Sequence, residues 1–166
     1  QTQALTTNIP ENVDGNIRPL AIWAESNDNI WVGGAIKTPT SAAASFGPVI
    51  HVEPATETVY GGQRNVTTVR DIDGADADDI WMVGAFAARS EPQVFHWNGA
   101  EVKSPISGLD SVHLATVAAL GNGQAIAAGP VGIWRFDGTT WQRESVDVSP
   151  AINWRHIYAS GPNDIW

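Results

Sequence analysis

The stretch "ADDIWMVG" at 77–84 decides the fold. A run of Ile, Trp, Met and Val follows a cluster of turn-forming acids and closes on a glycine. Related phrases stand at "NDNIWVGG" (27–34), "GQAIAAG" (123–129) and "PNDIW" (162–166). Placing Trp31, Trp81, Ile126 and Trp166 in one register gives separations of 50, 45 and 40 residues by subtraction of their numbers. Three residues after the first three anchors stands a glycine: Gly34, Gly84 and Gly129. Nine before all four stands an aliphatic residue (Ile22, Ile72, Val117, Ile157), and seven before stands a small one (Ala24, Gly74, Ala119, Ala159). Self-similarity at this period marks a repeat architecture.

A second segment lies in register inside each unit, "VIHVEP" at 49–54, "VFHWNG" at 94–99 and "IWRFDG" at 133–138. Its distance from the anchor falls from 20 (Trp31 to His51) to 15 (Trp81 to His96) to 9 (Ile126 to Arg135), so the units differ by insertions in one loop. In the first unit that loop is "AIKTPTSAAASFGP" (35–48), whose small and turn-forming residues suit a surface excursion. The rest of the unit reads as "LAIWAES", turn, "IWVGG", loop, "PVIHVE", turn, "TVYGG". These are four strands of about five residues with β-branched and aromatic enrichment. Four antiparallel strands per unit predict an all-β protein, a β-propeller fragment of four-stranded blades: about three full blades plus partial ones. The expected units are an outer closing strand and linker over 1–16, blades over 17–62, 63–108 and 109–148, and the first half of a further blade over 149–166. Three blades do not close a ring. The reading therefore expects either sequence beyond Trp166 or several copies completing one another, with self-association through open blade edges.

The motif "NDIW" followed by "HWNG" or "FDGTTW" resembles the "PNDVWAVG…HWDGTSW" propeller repeats of bacterial surface and secreted proteins, relatives of kelch-type and sialidase-type propellers. The resemblance covers the chain from Ile17 onward and implies the propeller fold. "DGTTW" lacks the spacing of the sialidase Asp-box, and "GNGQAI" stands where "PNDIW" is expected in the third unit.

Composition removes several function classes. The formal net charge is −9 with no basic cluster, so the phosphate-neutralising stripe of a nucleic-acid binder is missing. No run approaches the roughly 20 apolar residues that span a bilayer as a helix, which argues against membrane insertion of that kind. Cysteine is absent, which removes thiol catalysis and thiolate metal sites. Lysine is represented only by Lys37 and Lys103, against eight Trp, a composition associated with exported bacterial proteins; the expected location is secreted or cell surface.

Candidate chemistry is sparse. "RDIDGADADDIW" brings together Asp71, Asp73, Asp76 and Asp79, alternate carboxylates around a glycine, which is the donor set a hard cation such as Ca²⁺ needs. The string also resembles the calcium loop of integrin-type propeller repeats, which implies Asp71, Asp73 and Asp79 as ligands, although Ala75 and Asp76 replace its central Asp-Gly pair. The competing reading is a solvated turn whose side chains cap their own backbone. No other cofactor is indicated. His51 and His96 occupy equivalent places, which points to packing encoded by the repeat rather than to zinc. Trp31, Trp81 and Trp166 recur in register and read as core wedges between blades. Trp23, Trp134 and Trp154 do not recur together and are the candidates for exposed platforms on which a sugar stacks.

No nucleophile, acid–base pair or metal set has an interpretable spacing. The sequence thus supports a non-catalytic exported binding or scaffold propeller that recognises a protein or glycan partner. A structural repeat that assembles into oligomers or filaments and a part of a glycoside-active propeller enzyme are the alternatives.

Overall fold

The structure is a computed structural model that describes residues 16–37, 49–53, 56–60, 68–85, 93–104, 107–109, 113–146 and 154–166. Every regular element in it is a strand. The first sheet runs β1 (Asn16–Ser26), β2 (Asn29–Lys37), β3 (Val49–Glu53) and β4 (Thr56–Tyr60). The second runs β5 (Thr68–Asp76), β6 (Asp79–Ala85), β7 (Gln93–Trp97) and β8 (Val102–Lys103). The third holds β9 (Thr116–Gly121), β10 (Gln124–Gly129), β11 (Gly132–Phe136) and β12 (Trp141–Arg143). A two-stranded sheet, β13 (Ala159–Gly161) with β14 (Asp164–Ile165), follows. Each four-stranded sheet is antiparallel with its strands in chain order. The expected outer strand within 1–16 lies almost entirely outside the described residues.

The registers show why the repeat carries the residues it does. Gly34, Gly84 and Gly129 face the backbone of the paired first strand, and a Cβ at each would run into the carbonyl oxygen of Arg18, Thr68 or His113. Near its end each first strand leaves one residue out of the ladder, Glu25, Ala75, Leu120 or Ser160, as a β-bulge before the hairpin turn. The turns between third and fourth strands are also encoded. Asn98 Oδ1 accepts from the amides of Ala100 and Glu101 at 3.1 and 3.0 Å, and Asp137 Oδ1 from those of Thr139 and Thr140 at 2.8 and 2.9 Å. The glycine that follows has φ of +83° at Gly99 and +101° at Gly138, which glycine adopts without penalty.

Sheets pack face to face in chain order, with first strands adjacent: β1 meets β5, β5 meets β9 and β9 meets β13. Each sheet thus has a leading face, which carries the anchor and meets the next sheet, and a trailing face. At the first seam Trp31 and Val49 pack against Ile72, Ile80 and Met82. At the second, Trp81, Val83 and Val94 pack against Val117, Ala125 and Phe136. At the third, Ile126 and Ile133 meet Ile157 and Ile165. Trp31 and Trp81 are fully buried, as the repeat predicts, each removing on the order of 150–250 Å² from water. Two register equivalents behave differently. Ile22 is 68% exposed, whereas Ile72 and Val117 are buried, and Trp166 is 77% exposed. Among the described residues no sheet covers the leading face of β14, which carries Trp166.

Candidate functional site

The densest grouping of polar chemistry is built by the repeat. In the second unit, β6 begins with Asp79 two residues before Trp81, and β7 places His96 opposite Trp81. The imidazole stacks on the indole with centroids 4.1 Å apart and planes at 16°. Asp79 Oδ1 accepts from both Trp81 Nε1 and His96 Nε2, each at 2.8 Å. The first unit builds the same triad with an amide. Asn29 Oδ1 accepts from Trp31 Nε1 at 3.0 Å and His51 Nε2 at 2.8 Å, and the rings stack at 4.2 Å.

The carboxylate does one thing that Asn29 does not. Asp79 Oδ2 accepts from the amide of Gly123, in the β9–β10 turn of the next sheet, at 2.8 Å. The amide at the matching place of the second sheet, Asp78 N, is already taken by Asp76 Oδ1 at 2.9 Å. In the turn Gly121–Asn122–Gly123 glycine replaces that acid, and all three residues have positive φ. Its amide is left to bond across the seam. Burial alone would raise the Asp79 carboxyl, but hydrogen bonds from His96, the Gly123 amide and Trp81 outweigh it and hold the group below the usual aspartate range.

Asp71 and Asp73, two residues apart on β5, share the leading face because strand side chains alternate. Asp71 Oδ2 accepts from Thr116 Oγ1 at 2.6 Å and the Val117 amide at 3.0 Å, and Asp73 Oδ2 from the Ala119 amide at 2.8 Å. Thr116 Oγ1 in turn accepts from the Ile157 amide at 3.1 Å, so one hydroxyl links the second sheet, the third and the segment that leads into β13. Desolvation raises the Asp73 carboxyl above its ordinary value, and the charge of Asp71 adds to this, against the lowering by the amides of Ala119 and Gly74.

The four acids singled out for calcium therefore serve separate partners. Asp71, Asp73 and Asp79 point into the seam, while Asp76 caps an exposed turn. Among the described residues no three His, Asp or Glu side chains are grouped to hold a metal ion. The tryptophans are placed differently from the exposed platforms expected. Trp134 is 5% exposed, on the trailing face of β11 in the register of Phe95 and Ile50, with the Arg143 guanidinium 5.9 Å from its ring centroid. The alignment of "VFHWNG" with "IWRFDG" already carried that signal. Trp154 is half-buried against the third seam, twelve residues before its anchor as Val69 and Leu114 are before theirs. Trp23 is half-buried too, its indole lying over Gly74, where a Cβ would come within 2.6 Å of the ring.

Sequence reasoning missed one feature, an apolar groove of about 320 Å³ between the third sheet and β13–β14. Ile126, Ile133, Trp154, Ile157, Ile165 and Trp166 line it, with Arg135 and Glu144 at the rim. Arg135 Nε donates to Glu144 Oε1 at 2.6 Å, and Nη1 donates to the Pro162 carbonyl at 3.1 Å, which ties the third sheet to the β13–β14 turn. Protein-family models, curated proteins and solved structures give no significant match to this chain. The geometry alone carries the functional reading.

Proposed function

We propose that the three sheets are successive blades of a β-propeller of the bacterial kelch- and sialidase-related type, and that the protein is a non-catalytic, exported binding or scaffold propeller. Its partner is a protein or a glycan, met through exposed loops and sheet edges. Strand order within each sheet and the side-by-side first strands support the propeller reading. The observation that carries the functional reading is the use made of the acids on the leading faces. Asp71, Asp73 and Asp79 accept amides, an indole, an imidazole and a hydroxyl at the sheet seams, so their chemistry is committed to architecture. Function then falls to surface recognition.

A glycan array run beside hydrolysis assays on the same glycosides tests this. Saturable binding to a defined glycan class without product supports it, and turnover of any arrayed glycoside overturns it in favour of a glycoside-active propeller. The alternative is a structural repeat that assembles into oligomers or filaments, and the packing of like four-stranded sheets in chain order is the observation that supports it. Concentration-dependent mass in light scattering distinguishes it from a monomeric binder.

A further inference from the structure

We infer that Asn98 is a site of spontaneous covalent modification, at which the side-chain amide is lost through a cyclic imide to give aspartate and isoaspartate while the protein stays folded. The inference stands apart from the binding role proposed above.

The chain holds two Asn-Gly pairs, Asn98–Gly99 and Asn122–Gly123. A glycine after asparagine leaves the next backbone nitrogen sterically open to the side-chain carbonyl, because no Cβ stands in the way. Imide formation asks three more things of the fold: a polarised side-chain carbonyl, a backbone nitrogen not held as a donor elsewhere, and access for water.

Asn98 meets all three. Its Oδ1 accepts from the amides of Ala100 and Glu101 at 3.1 and 3.0 Å, so two donors already point at the oxygen on which negative charge develops when Cγ is attacked. Among the described residues no acceptor takes the Gly99 N–H. Asn98, Gly99 and Ala100 are all exposed. Asn122 is exposed as well, but its nucleophile is committed. The Gly123 amide donates to Asp79 Oδ2 at 2.8 Å, and the other oxygen of that carboxylate is locked by Trp81 and His96. A charge-assisted bond of this kind fixes the nitrogen in the seam.

The step balances with water as the sole co-reactant. The Gly99 nitrogen gives up its proton to solvent and bonds to Asn98 Cγ; the Cγ–Nδ2 bond breaks, and Nδ2 leaves as ammonia with a proton from water. Water then opens the ring. Addition at Cγ yields aspartate, and addition at the former main-chain carbonyl yields isoaspartate, whose backbone runs through Cγ and is longer by one methylene. No electron changes hands.

The two products have different fates. Aspartate already holds the matching turn of the third sheet, where Asp137 Oδ1 accepts from Thr139 and Thr140. Those amides hold the Asp137 carboxyl below the usual range, and an ionised carboxylate is a poor electrophile, so aspartate is a stable end point. Isoaspartate draws the cap away from its amides and lengthens the link between β7 and β8. That change falls directly after Trp97, whose ring lies 5.4 Å from Trp31 and whose Nε1 donates to the Ala77 carbonyl, so the first seam bears it.

The test is to age the 166-residue chain in mildly alkaline buffer and to follow each Asn-Gly pair by peptide mapping and by labelling with an isoaspartate-specific methyltransferase. In the folded chain Asn98 is expected to react about tenfold faster than Asn122, the factor carried by one hydrogen bond to a charged group. In urea the two rates converge. Asp79→Asn keeps an oxygen for Trp81 and His96 but releases Gly123, and so raises the folded-state rate at Asn122 while leaving that at Asn98 unchanged. Asn98→Asp melts with the parent, whereas the isoaspartate fraction purified from aged protein melts lower. Equal folded-state rates, a faster reaction at Asn122, or a difference that survives in urea overturns the inference. An Asn98→Asp melt as low as that of the isoaspartate fraction overturns the fates assigned to the products.

Discussion

Replacing Asp79 by alanine removes in one step the acceptor for an indole, an imidazole and an amide of the neighbouring sheet. The three donors do not suffer equally. Trp81 is fully buried, so its Nε1 loses the Asp79 acceptor, the one it has among the described residues, with no water at hand. The His96 side chain is 15% exposed and is rehydrated in part, while Gly123 lies in a half-exposed turn where water replaces the carboxylate. One full desolvation penalty of about 1–3 kcal/mol and a fraction of a second give a loss of about 2–4 kcal/mol. At about 2–4 °C per kcal/mol for a chain of this size, the melting temperature falls by roughly 4–16 °C. Asp79→Asn serves as the matched control, because Asn29 already holds Trp31 and His51 through one amide oxygen. It forfeits only the bond to Gly123 and costs about 1 kcal/mol. Near-ultraviolet circular dichroism melts measure both losses, and amide exchange at Gly123 rises in both variants. An Asp79→Ala melt within about 0.5 kcal/mol of the parent, or an asparagine variant as damaged as the alanine one, refutes the reasoning. The pH dependence has a fixed sign. The folded-state pKa of Asp79 is depressed, so its stabilisation is present above the unfolded aspartate value of about 3.9 and is lost as pH falls through the folded value.

Thr116→Val removes the hydroxyl shared by Asp71 and the Ile157 amide, and costs about 1–3 kcal/mol with selectively faster exchange at Ile157. Asp73→Asn keeps an oxygen for the Ala119 amide but discards a half-buried charge. Because the Asp73 pKa is raised, the parent loses stability as pH climbs from about 3.9 through the folded value, and the advantage of the asparagine variant, measured by urea melts, appears above that window and fades below it. Gly84→Ala drives a methyl into the Thr68 carbonyl and lowers stability by about 1–3 kcal/mol, whereas alanine at Gly161, where nothing stands nearby, is near neutral in the same melts.

The repeat was readable because its signals are steric and local. A glycine three residues past each of the first three anchors reports a carbonyl of the preceding segment pressed against it, and the indoles of Trp31 and Trp81 recur as the wedges of the first two seams. The competing readings of the acidic stretch were not separable in sequence, because one pattern serves two chemistries. Acids at 71, 73 and 79 have the spacing of a calcium loop. On a strand, however, positions 71 and 73 share one face, and the hairpin carries Asp79 to the far end of it, so each carboxylate meets a different amide of the next sheet. Trp134 does not recur as a tryptophan in the other units, but the His51–His96–Arg135 register puts it beside Phe95 and Ile50, inside. The groove was invisible in sequence because it arises from which neighbour is present, and no residue type announces that.

The seam bonds made by Asp71, Asp73, Asp79 and Thr116 all run one way: the earlier side supplies the acceptor, and the later side supplies the donor, which is a backbone amide in every bond but the one from the Thr116 hydroxyl to Asp71. That polarity restricts symmetry. A twofold axis would bring leading face to leading face, acids opposite acids and amides opposite amides, and the pairing would fail on both sides. Any contact that propagates this interface is heterologous, with a head and a tail, so the rotation per step decides between a closed cycle and an open filament. Small changes in the angle at one seam would accumulate around such an assembly. A carboxylate-to-amide bond 2.8 Å long at the Gly123 turn then acts as a goniometer as well as a fastener.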